Sequence, residues 1–165
     1  MKKALFFFVI VFFFMMSISC NLHFRENTER MNALNEMQQT DADFSNRSKE
    51  VGIKKATLEY MEADGILLKP SRMPVTGADA VELITSLNDS SVILTWQSLG
   101  ADMSAAADMG YTYGVYSLTA GSSTRRGTYV TIWKKQANGK WKFVLDSGNE
   151  GTGEEMKDDL QIQGN

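Results

Sequence analysis

The chain has 165 residues, 43% apolar and 22% charged, a composition that supports one folded domain with its own core and excludes wholesale disorder. The formal net charge of −3, with no basic stripe, excludes a nucleic-acid partner held through phosphate contacts. One cysteine excludes an intramolecular disulfide, and one histidine, His23, leaves Asp, Glu, Lys or Tyr as the general acids or bases open to the domain.

At the N-terminus, Lys2 and Lys3 precede an apolar run over residues 4–16, and Ser17-Ile18-Ser19 leads into the single cysteine, Cys20. A charged start, a short apolar run and a small-residue boundary form the pattern of a secretory leader. The run is 13 residues long, below the ~20 that span a bilayer comfortably. Ser17-Ile18-Ser19-Cys20 resembles a bacterial lipobox, with Ser17 where Leu is usual. That resemblance implies cleavage after Ser19, a lipid on Cys20 and an envelope protein anchored to a membrane, facing the periplasm or cell surface. An uncleaved anchor and a soluble export signal are the alternatives. Loss of Lys2 and Lys3 with the leader takes the net charge to −5.

Residues 20–35 are polar and read as a tether between the lipid and a domain over 36–148. From 36 to 62 the apolar positions Met37, Phe44, Val51, Ala56, Leu58 and Met61 fall at helical spacing, with a break at Val51-Gly52. Two helices are predicted, over 37–49 and 53–61. Asp64-Gly65 is read as a turn into a strand over 66–68, stopped by Pro70. A helix over 78–87 follows, capped by Thr76 or Gly77.

Everything after Asp89 reads as antiparallel sheet, with strands over 92–97, 109–118, 128–136 and 140–146, a polar loop over 119–125, and a flexible acidic tail over 149–165. Asn138-Gly139 is the strongest turn signal, a two-residue type I′ loop. In that register Trp133 lies opposite Val144 and Thr131 opposite Asp146. One face then carries Tyr129, Thr131, Trp133, Val144 and Asp146, and the other Val130, Ile132, Trp141, Phe143 and Leu145. The second set, a contiguous apolar patch, predicts a homodimer. Helices first and strands after them define an α+β domain.

Several short motifs, in this order and spacing, are similar to the nuclear-transport-factor-2-like superfamily in its SnoaL-like, ketosteroid-isomerase-like bacterial branch. They are Tyr60-Met61-Glu62-Ala63-Asp64-Gly65, Pro74-Val75-Thr76-Gly77, Gly110-Tyr111-Thr112-Tyr113-Gly114, Arg126-Gly127-Thr128-Tyr129-Val130-Thr131-Ile132-Trp133, Gly139-Lys140-Trp141-Lys142 and Leu145-Asp146. The resemblance implies a cone: N-terminal helices packed on a strongly curved antiparallel sheet that encloses a pocket, with a convex face that often dimerises. In the isomerases a pocket acid occupies the place that falls on Thr131 here, so that acid is missing. A dehydratase-type His/Asp pair has no histidine to form it.

The resemblance makes the Tyr129/Thr131/Trp133 face the pocket side, which selects Asp146 as the first candidate for a proton acceptor or an orienting group. A strand-end carboxylate bound to a neighbouring backbone or arginine is the plainer reading. Asp64 is the second candidate, at the pocket mouth, although an Asp-Gly turn also accounts for it. Tyr60, Trp96, Tyr113, Tyr129, Thr131 and Trp133 are expected to line the pocket, where a tyrosine hydroxyl can stabilise an oxyanion. No cofactor is implied, and no metal site, since there is no histidine cluster and the cysteine lies in the leader. Two functions remain open: a non-catalytic module that binds a small apolar or amphipathic ligand, or a cofactor-independent isomerase- or cyclase-like enzyme with a pocket Asp as general base.

Overall fold

The computed structural model describes the backbone of residues 2–151 and the side chains of residue 25 and residues 27–151. The Cys20 side chain, where lipidation is expected, and most of the acidic tail lie outside what is described. Among those described, no helix is long and apolar enough to cross a membrane.

In chain order the elements are α1 (Lys2–Val51), α2 (Ile53–Tyr60), β1 (Met61–Leu68), β2 (Val75–Thr76), α3 (Gly77–Ser86), β3 (Val92–Met103), β4 (Met109–Ala120), β5 (Ser123–Lys135) and β6 (Trp141–Glu150). The strands form one mixed sheet in the order β2-β1-β6-β5-β4-β3. Every neighbouring pair is antiparallel except β1 and β6, which are parallel. The helices pack on its concave side, so the expected α+β architecture holds.

α1 joins the domain earlier than residue 37. Ala33, Met37, Asp41, Phe44, Ser45 and Ser48 are buried, at the three- and four-residue spacing of one helix face. Two of these polar residues serve the outer edge of β3, which pairs with no strand. Ser45 Oγ donates to the Trp96 carbonyl at 2.9 Å and accepts from the Trp96 N–H at 2.8 Å, while Ser48 Oγ donates to the Leu94 carbonyl at 2.7 Å. Further along, Arg30 Nη2 reaches the Met103 carbonyl at 2.9 Å. The helix thus satisfies backbone groups that an open sheet edge would offer to another chain.

Gly52 breaks α1 from α2 with φ of 87°, a conformation that favours glycine. It supplies no cap, and Asp89 takes that role from the other side, accepting the Lys54 backbone N–H at 2.9 Å.

Three local expectations are corrected. Residues 61–65 are not a helix end and a turn but the first half of β1, with an irregular register between Met61 and Ile66. The loop expected over 119–125 is mostly strand: Ala120 pairs with Ser123, leaving Gly121-Ser122 as a tight hairpin turn.

The third concerns the β5–β6 hairpin. Lys135 pairs with Trp141, and the loop is Ala137-Asn138-Gly139, closed by a Gly139 N–H bond to the Gln136 carbonyl at 2.8 Å. That loop is one residue longer than expected. A bulge then restores the register, so Thr131 does face Asp146, but Trp133 faces Phe143 rather than Val144.

The consequence is large, because a shift of one residue exchanges the faces of a strand. Trp141 and Phe143, expected on the dimer face, are 5% and 1% exposed and belong to the core. Phe143 stacks on Phe44 at 5.6 Å between ring centroids and meets Trp133 edge-on at 6.1 Å.

Candidate functional site

A cavity of about 360 Å³ opens between the concave face of the sheet, α2, α3 and the segment leading into β3. Its walls are apolar: Phe44, Leu67, Ile84, Leu94, Trp96 and Phe143. Towards the far end of the sheet Tyr116 joins them. A Cβ at Gly127 would lie 2.6 Å from the Tyr116 ring and 2.1 Å from the Asn149 carbonyl, so only glycine there lets the ring lie on the sheet.

The polar end sits where β5, β6 and the end of β1 meet. Parallel pairing sets Leu67 beside Asp146, which brings Lys69, just past the strand end, over the same carboxylate. Lys69 Nζ lies 3.2 Å from Asp146 Oδ2, and Thr131 Oγ1 donates to Asp146 Oδ1 at 3.0 Å. Both oxygens are therefore engaged, one by a cation and one by a hydroxyl. At the exposed rim Glu150 pairs with Arg125 at 3.4 Å.

A second carboxylate lies deeper. Asp41 of α1 is 1% exposed and accepts two hydrogen bonds, from Tyr129 Oη at 2.7 Å and from Thr112 Oγ1 at 3.0 Å. Thr112 Oγ1 in turn accepts the Trp133 indole N–H at 3.0 Å. Burial pushes the Asp41 carboxyl above the usual carboxylate range, against the pull of the Tyr129 and Thr112 hydroxyls. Trp96 adds a weaker pull in the same direction, although its Nε1 makes no hydrogen bond of ordinary geometry. Burial first, and then the Asp41 charge, push the Tyr129 phenol far above its ordinary range, so it remains a donor. Tyr129 lines the cavity and Asp41 lies behind it.

No family model matches the chain, and no curated protein matches it. Solved structures do. A ketosteroid isomerase-like protein from Erwinia carotovora atroseptica matches with a TM-score of 0.55 at 15% identity, over 68% of this chain and 92% of the other. An NTF-2-like protein from Shewanella oneidensis matches with a TM-score of 0.56 at 13% identity, over 69% and 96%. An LEH-like epoxide hydrolase from M. tuberculosis matches with a TM-score of 0.53 at 10% identity, over 75% and 84%. The fold is that of the nuclear-transport-factor-2-like proteins. At these identities the likeness establishes the architecture, and function is carried by the residues in the cone.

Of the residues expected to line a pocket, four border this cavity: Trp96, Tyr129, Thr131 and Asp146. Four are elsewhere. Tyr113 is 48% exposed on the opposite face of β4, because Thr112 and Gly114 take the inward positions. Tyr60 packs behind the wall, stacked on Phe44 at 4.8 Å. Trp133 is wholly buried beneath the cavity floor and spends its indole N–H on Thr112. Asp64 is an exposed residue of β1 beside the start of α3, away from the cavity.

Sequence reading missed Asp41 and Lys69. Asp41 carries a signal in retrospect, being a carboxylate on the same helical face as Met37, Phe44 and Ser48. Lys69 carries none, since only the parallel β1–β6 pairing brings it to Asp146. Among the described residues no group of three or more His, Cys, Asp or Glu side chains is placed to hold a metal.

Proposed function

We propose that this chain is an exported lipoprotein whose cone binds a small apolar or amphipathic ligand without turning it over. The observation that carries this reading is the engagement of Asp146. A general base must be free to take a proton from the substrate, and Asp146, the carboxylate at the polar end of the cavity, is held by Lys69 Nζ and the Thr131 hydroxyl. The buried carboxylate, Asp41, is separated from the cavity by Tyr129.

The second reading is a cofactor-independent isomerase- or cyclase-like enzyme in which Asp146 becomes the base once a substrate draws Lys69 away. What favours it is the position of Asp146 in an apolar cavity within a fold shared with a ketosteroid isomerase-like protein and an epoxide hydrolase. Native mass spectrometry of the protein released from membranes tests the two. The binding reading expects a bound small mass that is recovered unchanged after incubation with fresh protein. Consumption of that compound by wild type but not by a folded Asp146→Asn variant would establish the enzyme instead.

The membrane anchor rests on Lys2, Lys3, the apolar run and Cys20. Cys20→Ser is expected to lose fatty-acid labelling and leave the membrane fraction; retention of the label would refute the lipoprotein reading. We further propose that a second copy covers the convex face, where Leu99, Tyr111 and Tyr113 stand exposed and partly buried Val130, Ile132 and Leu145 continue the apolar surface.

A further inference from the structure

We infer that the head group this cavity selects is a cation: an ammonium on an apolar or aromatic chain, seated on Asp146 in place of the Lys69 side chain. This deepens the binding reading above and rests on it. Three carboxylates, Asp89, Asp146 and Glu150, and one cation, Lys69, are among the lining residues. Two of the carboxylates are engaged from outside the lining, one by a cation and one by a backbone donor. Glu150 pairs with Arg125 at the rim, and Asp89 accepts the Lys54 backbone N–H at the start of α2.

Asp146 differs, because its cation is a flexible chain on the cavity wall. Lys69 is a butylammonium whose side chain is 39% exposed, with an open path to water, whereas the Asp146 side chain is 24% exposed. An incoming ammonium on Asp146 Oδ2 replaces the hydrogen bond that Lys69 gives up. The Thr131 hydroxyl keeps Oδ1, and the charge inside the cavity is unchanged. Lys69 regains full hydration when it swings out. A charged head group is thereby bound with Asp146 still paired, the condition under which burying a charge is tolerated.

An acid fares worse at the same place. It would share one ammonium with Asp146, setting two carboxylates side by side at the polar end of an otherwise apolar cavity, where one of them must take up a proton. The remainder of the ligand is provided for by the walls. Phe44, Trp96, Tyr116, Tyr129 and Phe143 line the cavity, and aromatic rings accept apolar chains and attract cations to their faces.

Three probes that share a phenylalkyl chain and differ in the head group test this: phenylbutylamine, phenylbutanol and phenylpentanoate. Each is measured by equilibrium dialysis against the full chain in detergent micelles, with empty micelles as the blank. The expected order is amine, then alcohol, then acid, with the amine about tenfold or more tighter than the acid. In Asp146→Asn the amine loses its advantage over the alcohol. In Lys69→Met, which removes the resident competitor, the amine-to-alcohol ratio widens.

The wild-type ranking decides the matter even if neither variant folds. Acid binding equal to or tighter than the amine overturns the inference, as does an amine advantage that survives Asp146→Asn. Alcohol binding with no amine advantage overturns it while leaving the binding function standing. Failure of all three probes to bind a protein with a normal unfolding transition overturns both.

Discussion

The buried Asp41 gives the sharpest test of the physical account, through Tyr129→Phe. This change keeps the ring that lines the cavity and deletes one hydroxyl, the donor 2.7 Å from Asp41 Oδ2. Asp41 is 1% exposed, and among the described residues no lysine or arginine is hydrogen-bonded to it, so water and a cation are both absent as substitutes. Thr112 Oγ1 remains as one donor at 3.0 Å, already committed to the Trp133 indole as an acceptor. Losing a hydrogen bond to a buried charged acceptor costs about 1.5–3 kcal/mol, which lowers the melting temperature of a domain of this size by roughly 5–15 °C.

The pH dependence of that loss has a definite sign. Burial raises the Asp41 carboxyl in the folded state above its unfolded value. The native protein therefore holds this proton to higher pH than the unfolded chain does, and the Asp41 contribution to stability falls as pH rises from the ordinary carboxylate range through the raised folded value. The Tyr129 hydroxyl opposes that rise, so removing it costs most at neutral pH and least in acid, where Asp41 is protonated with or without its donor. Urea unfolding followed by tryptophan fluorescence across this range measures the difference. A loss below about 0.5 kcal/mol at neutral pH, or one that grows as pH falls, would show that Asp41 and Tyr129 do not form the pair described.

The corrected register makes Phe143→Ala a core mutation that costs about 3–5 kcal/mol by urea unfolding, and Phe143→Glu should unfold the domain rather than dissociate it. A folded, monomeric Phe143→Glu protein in sedimentation would restore the two-residue loop and its faces. Ser45→Ala leaves the Trp96 N–H and carbonyl without their helix partner, at a cost of about 1–3 kcal/mol. Faster hydrogen exchange at the Trp96 amide checks it, and unchanged exchange would refute the role of α1 in closing the sheet edge. On the convex face Tyr113→Glu should leave the melting temperature within a few degrees of wild type while halving the sedimenting mass. An unchanged mass counts against a dimer through that face.

Periodicity and turn chemistry by themselves determined the class of fold, the break at Gly52, the position of α3 and most of the strand content after Asp89. These are properties of neighbouring residues, and local sterics and amphipathic spacing act at that range. The pairing of Thr131 with Asp146 was also legible, because two errors cancelled: the loop is one residue longer than Asn138-Gly139 implied, and a bulge in β6 recovers the register. Between the longer loop and the bulge the faces are exchanged, which is why Trp141 and Phe143 lie in the core and not on the outer face that a two-residue loop implies. A bulge is chosen by how side chains pack across the sheet, and nothing in the local sequence at Val144 announces it. Tyr113 misled for a different reason: tyrosines at strand spacing are equally at home on either face.

The chemistry of the cavity was decided by tertiary structure alone. Lys69 meets Asp146 only because β1 runs parallel to β6, a pairing between segments far apart in the chain. Asp41 meets Tyr129 and Thr112 only because α1 lies across the concave sheet. The sequence held every one of these residues, but burial and hydrogen-bond partners are properties of the packed molecule. It is the packing that turns one carboxylate into a sealed anchor and leaves the other paired with a lysine at the polar end of the cavity.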